Sequence, residues 1–101
     1  MRLQGPDRGP EHGDRQAAYG HPFDDYARTA RMWEAILGLP PYRISPSVAC
    51  LMMAAVKISR QVNKPKRDNM TDLAGYAACA QMCAEREEAL HEQAVDGMGG
   101  A

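Results

Sequence analysis

Apolar positions in this 101-residue chain recur with helical spacing in three stretches, and no stretch alternates as a half-buried strand would. Phe23, Tyr26, Ala30, Trp33 and Leu37 define the first. Pro22 suits its first position, Asp24 and Asp25 complement the positive end of the helix dipole, and Gly38 can cap the other end. The spacing predicts a helix over 22–37. Leu39-Pro40-Pro41-Tyr42 then reads as an extended connector, since proline disfavours helix in the residue before it. Ser45-Pro46 opens a second helix over 46–62, with serine as N-cap and proline in the first turn. Val48, Leu51, Met52, Ala55, Ile58 (or Ser59) and Val62 make its stripe. Ala49, Met53 and Val56 widen that stripe so far that this helix is expected to be the core one.

Residues 63–67 form a loop broken by Pro65, and Asp68 or Thr71 is the expected cap of a third helix over 69–93. Leu73, Tyr76, Ala80, Cys83 and Ala84 give that helix its inner face. The run EREEALHEQ at its end carries only Leu90 as a sizeable apolar residue, so the helix is expected to project or fray there. A short helical turn is read over 14–21. The fold class is all-α, a bundle of three main helices plus that turn.

Composition narrows this to one domain. The Gly- and Pro-rich first 13 residues and the glycine-rich 95–101 cannot bury enough apolar area to offset chain entropy, leaving 14–94 as the folding unit. A unit that small has a thin core, and self-association as a homo-oligomer is expected.

Net charge is −1, but it is unevenly spread. Residues 35–67 hold no acid and six bases: Arg43, Lys57, Arg60, Lys64, Lys66 and Arg67. Residues 68–101 hold seven acids and only Arg86 as a base. A cationic block inside a near-neutral chain favours a local anion site over general nucleic-acid binding, which usually needs a basic domain. Cys50, Cys79 and Cys83 lie among alanines and methionines and read as buried, reduced thiols. The N-terminus lacks the apolar core of a signal peptide, and the longest uncharged run, 44–56, is too short to span a bilayer. A soluble, cytoplasmic protein is expected.

Candidate chemistry gathers at KISRQVNKPKRDNMTDLAGY, residues 57–76. Lys57 and Arg60 share one side of the second helix. Arg67 stands just before a helix N-terminus, where guanidinium and free backbone N–H groups can hold phosphate. In an antiparallel hairpin Asp72 lies within reach of Lys57 or Arg60. It then either fixes the hairpin as an ion pair, or orients those cations around a phosphate or holds magnesium. Gly75 costs a helix roughly 1 kcal/mol relative to alanine, which suggests close approach of a ligand or another backbone. Tyr19 and His21, with Tyr76, could frame a base or sugar. The plainer alternative packs Tyr19 on the core and makes His21 a helix cap. No nucleophile is activated, because nothing near Cys50 would stabilise its thiolate.

Three motifs then occur in order: Tyr19-Gly20-His21-Pro22, Lys57-x-x-Arg60, and Asp68-x-x-x-Asp72-x-x-Gly75-Tyr76. Their combination resembles a family of small helical domains of tailed phages, distantly similar to the MazG-like all-α nucleotide pyrophosphohydrolases. The latter resemblance implies magnesium held by paired acids on two successive helices. This chain departs from that pattern, since 46–62 contains no acid and only Asp68 and Asp72 stand on the next helix; Glu34, Asp24 and Asp25 could join only in a rearranged site.

Three functions follow. The first is binding of a nucleotide or other phosphorylated small molecule by Tyr19, His21, Lys57, Arg60, Arg67, Asp72 and Tyr76, in nucleotide metabolism or to sequester a host signalling nucleotide. The second is a divergent MazG-like hydrolase, with Asp68 and Asp72 on Mg2+ and His21 assisting Asp72 in catalysis. The third is a non-catalytic structural or interaction module.

Overall fold

The computed structural model describes residues 20–99, so the head over 1–13, most of the helical turn over 14–21 and the candidate Tyr19 lie outside the described residues. Three helices follow: α1 (Pro22–Leu37), α2 (Pro46–Asn63) and α3 (Arg67–Gly99). The chain is all-α, as its periodicity predicts.

Each end of α1 is built from local chemistry. His21 Nδ1 accepts the Phe23 N–H at 3.0 Å, so His21 is the N-cap, with Pro22 at the first helical position. Gly38 takes the left-handed conformation, φ 72°, which glycine adopts without strain. Its N–H reaches Ala35 O and the Leu39 N–H reaches Glu34 O, at 3.2 and 2.8 Å, closing the last turn.

The connector that follows is organised by one buried carboxylate. Glu34, only 1% exposed, is gripped by Arg31 through Nε at 2.6 Å and Nη2 at 2.9 Å. It also accepts the backbone N–H groups of Tyr42, Arg43 and Ile44 at 3.3, 2.8 and 2.6 Å. Arg31 returns to donate to Ile44 O at 2.8 Å and lies 4.4 Å over the Tyr42 ring. Tyr42 itself has φ 67°, a conformation that strains a bulky side chain and persists only where its surroundings hold it. The Arg31–Glu34 clamp supplies those surroundings and sets the angle at which α2 departs.

Ser45 caps α2 by accepting the Val48 N–H at 3.2 Å, as its sequence position predicts. The face α2 buries differs from expectation. Val48, Leu51, Met52, Ile58 and Val62, expected in the core, are exposed, and the buried positions are Pro46, Ala49, Cys50 and Ala54 on the opposite side. Small residues win that side because they let α3 come close: Cys50 and Cys83 Sγ stand 3.8 Å apart, with Cys79 and Ala80 in the same cluster. Burial pushes both the Cys50 and Cys83 thiols up, so they stay protonated and unreactive. Ala30, Ile44 and Ala49 form a second small cluster, and Tyr26 joins the two.

The α2–α3 hairpin is pinned at both ends. At one, Ser47 donates its N–H and hydroxyl to Glu87, each at 2.8 Å. At the other, Gln61 Oε1 accepts from the Lys66 N–H at 3.0 Å and from Asn69 Nδ2 at 3.1 Å, and Asn69 is itself buried. This closure starts α3 at Arg67, two residues before the expected 69. Neither Asp68 nor Thr71 acts as its cap: Asp68 lies in the first turn, and the Thr71 hydroxyl bonds back to Arg67 O. Nor does α3 stop at 93. Good helix formers over 85–94 carry it past 93, and residues 95–99, expected beyond the folded unit, continue the helix although Gly97 and Gly99 do not favour it. No helix among the described residues is long and apolar enough to cross a membrane.

The clamp makes a pH prediction. Arg31, and then the Ile44 and Arg43 N–H groups, hold the Glu34 carboxyl down to about 2 from an ordinary 4.5. A lowered folded value adds stability that is complete above about 4.5 and lost as pH falls towards about 2. Glu34→Gln is therefore expected to melt well below the wild type at pH 7, and the difference is expected to shrink through this acid window. A gap unchanged with pH would show that Glu34 is not bound as a carboxylate.

Candidate functional site

The residues singled out around the hairpin loop are set in position by the helices just described. Lys57, in the next-to-last turn of α2, points across the hairpin and meets Asp72 on α3 at 3.0 Å. The lysine side chain is 15% exposed and the aspartate 46%, so the pair straddles the protein surface. This is the interhelical ion pair that an antiparallel hairpin allows. Among the described residues Asp72 pairs with Lys57 and with no other cation.

Arg60, one turn on, has no such partner. The side chains of Arg60, Lys64, Lys66 and Arg67 are exposed, and none forms an ion pair among the described residues. Asp68 is exposed beside Arg67, and the two lie at the start of α3, where the backbone N–H groups and the dipole favour an anion. One turn past Asp72, Tyr76 is half-buried with its ring edge-on to Tyr26, centroids 6.4 Å apart. Burial raises the Tyr26 hydroxyl far above its ordinary pKa, so it remains a neutral donor. A Cβ built on Gly75 would meet nothing within 4 Å. Close approach of another backbone among the described residues is therefore not the reason for that glycine.

His21 is not part of this corner. Its Nδ1 is committed to the α1 cap, and Phe23, two residues on, lies against Arg86, 5.6 Å from the ring centroid. Arg86 stands about 20 Å along α3 from Asp72. Glu34 cannot be drawn in either, being held by Arg31 and the connector. Among the described residues no three His, Cys, Asp or Glu side chains come together to hold a metal ion, so Asp68 and Asp72 gain no third protein ligand.

A groove of about 450 Å³ opens elsewhere, lined by Phe23, Arg28, Arg31, Tyr42 and Pro46. Its lining is mostly apolar, and its cations are engaged: Arg31 with Glu34, and Arg28 with Asp25 at 3.7 Å. The hairpin corner gathers four cations, Arg60, Lys64, Lys66 and Arg67, that form no ion pair among the described residues; Arg43 in the connector is another such cation.

Sequence reasoning missed Glu34 as a structural residue and missed Gln61 with Asn69 as the loop closure. Glu34 had a readable signal, an acid next to Trp33 at the edge of an apolar stripe in the last turn before Gly38. Gln61 and Asn69 had none, because polar residues flanking a loop are ordinarily solvated.

A family model described as "Domain of unknown function (DUF6378)" matches residues 11–84. The chain belongs to this family. Among curated proteins it is similar to the "Gene 55 protein" of Mycobacterium phage D29, with 32% identity over 87 residues. That match covers 85% of this chain and 51% of the phage protein, so the chain spans about half the length of that relative. No solved structure matches. This is a phage-type DUF6378 protein, and the matched segment contains the whole hairpin corner from Lys57 to Tyr76 while ending before the last turns of α3.

The Lys57–Asp72 pair yields a direct expectation. Asp72→Asn should lower stability by about 1–2 kcal/mol, between the values of exposed and buried pairs. Combined with Lys57→Met it should show a coupling of about 1 kcal/mol in a double-mutant cycle. Strict additivity would mean the two charges do not sense each other.

Proposed function

We propose that this DUF6378 protein binds a nucleotide or another phosphorylated small molecule at the hairpin corner. The observation that carries the proposal is the surplus of unpaired positive charge. Asp72 satisfies Lys57, while Arg60 one turn away and Arg67 at the head of α3 form no ion pair among the described residues. Phosphate is the ligand such a set recognises best, because guanidinium groups offer paired donors and a helix N-terminus offers backbone N–H groups and dipole. Tyr76, with its ring already held by Tyr26, supplies an apolar edge for a base or sugar, and the room left beside Gly75 admits it. The proposed setting is nucleotide handling in the cytoplasm of an infected cell.

A MazG-like hydrolase at the same corner would need magnesium held chiefly by substrate phosphates, with Asp68 and Asp72 as its only protein carboxylates. Asp72 would have to leave Lys57 to serve, and Glu34 is spoken for. Binding without turnover is therefore the better supported reading.

Titration calorimetry with inorganic phosphate and nucleoside mono-, di- and triphosphates, with and without Mg2+, tests this. At least one nucleotide is expected to bind without Mg2+, and Arg60→Ala is expected to weaken it about tenfold or more while barely moving the melting temperature. Absence of binding by every phosphate tested would overturn the proposal. Pyrophosphate release that is lost in Asp72→Asn would replace binding with catalysis.

A further inference from the structure

We infer that the outer face of α2 is a self-association surface, on which a second copy of this chain seats antiparallel. The apolar face it rests on is separate from the corner proposed to hold phosphate, although the direction of seating draws on the same basic residues. It begins from the core. Among the described residues the buried hydrophobic side chains are Ala30, Ile44, Ala49, Cys50, Ala54, Cys79, Ala80 and Cys83, with Ile44 the one large aliphatic in that set. The large aliphatics of α2 lie outside. Val48 is 45% exposed, Leu51 55%, Ile58 51% and Val62 81%, with Met52 and Val56 also on the surface.

These positions are ordered. Val48, Leu51, Met52, Ala55, Ile58, Ser59 and Val62 follow a three-one-three spacing, which aligns them in one seam along two heptads. No charged residue interrupts it. The side of α2 opposite this seam is already occupied, because Cys50 and Ala49 pack against Phe23, Tyr26 and Trp33 of α1 and against Cys79 and Cys83 of α3. The exposed side chains amount to on the order of 500 Å² of apolar surface per copy, which is at the upper end of what monomers expose. Doubled across an interface, that is on the order of 1,000 Å², the threshold for a specific contact.

Two features select a second copy as the occupant, and an antiparallel one. The seam is nearly symmetric about Ala55. Reversed on itself it sets Val48 against the partner's Val62, Met52 against the partner's Ile58, Leu51 against the partner's Ser59, and Ala55 against the partner's Ala55. The smallest residue then lies on the two-fold axis, where the helices come closest, and large ones fill the ends. Charge agrees with this direction. The loop end of the hairpin carries Arg60, Lys64, Lys66 and Arg67, which form no ion pair among the described residues, against Asp68, whereas the other end carries Glu85, Glu87, Glu88, Glu92 and Asp96 against Arg86 and, just before α2, Arg43. Antiparallel seating brings the basic end of one copy over the acidic end of the other; parallel seating would stack like charges.

Sedimentation of the full chain at micromolar concentration, with cysteine crosslinking, tests the inference. The wild type should sediment as a dimer, and Ile58→Glu should shift it to monomer with the dissociation constant raised tenfold or more and the helical circular dichroism of the single chain kept. Under mild oxidation Ala55→Cys should crosslink to itself. Val62→Cys should not, but should crosslink when mixed with Val48→Cys. A wild-type monomer would assign the face to another occupant and overturn the inference, as would a dimer indifferent to Ile58→Glu. Self-crosslinking of Val62→Cys in place of Ala55→Cys would overturn the antiparallel seating.

Discussion

The close approach of α2 and α3 is the constraint on which the rest of this molecule depends. Only cysteine and alanine side chains fill the buried cluster between them, and the Cys50 and Cys83 sulfurs nearly touch. Two hydrogen-bonded closures, Ser47 with Glu87 and Gln61 with Asn69, hold the hairpin in register. Lys57 meets Asp72 because of that register. The same packing buries little apolar area, since alanine and cysteine bring little into the core. Large aliphatics are left on the other side of α2, where a second copy can cover them.

Much of the fold was legible in the sequence where local chemistry decides. Pro22, Gly38 and Ser45-Pro46 mark helix ends through fixed torsions and side-chain caps, and α1 begins and ends where they predict. The orientation of α2 was not legible. It has apolar residues on both faces, and periodicity shows that a stripe exists without showing which stripe turns inward. The decision rests on which face fits α3 closely, a tertiary property. The far end of α3 was misjudged for a related reason. A solvated run with few apolar residues still stays helical when its residues favour helix and nothing breaks the chain.

The corner divides in the same way. The Lys57–Asp72 contact follows from antiparallel geometry, and the lack of an ion pair for Arg60 and Arg67 among the described residues follows from a block of six bases without an acid. Glu34 shows the opposite case. As a sequence feature it is one more carboxylate that a metal site might recruit, whereas in the fold it receives five hydrogen bonds or ion-pair contacts from Arg31, Tyr42, Arg43 and Ile44. A carboxylate so fully satisfied has no capacity left for a metal. Tyr42, strained at φ 67°, is where that satisfaction is taken up in the backbone.

Charge and hydrophobicity together give the chain a direction, with a basic loop end, an acidic far end and an apolar seam between. If the thin core of one copy is completed by another, folding and association are linked, and stability must depend on how much protein is present. The most direct measurement is the melting temperature of the full chain across a hundredfold range of concentration. The midpoint should rise steadily with concentration and flatten in Ile58→Glu. A wild-type midpoint independent of concentration, at values where the chain is wholly monomeric, would contradict the account.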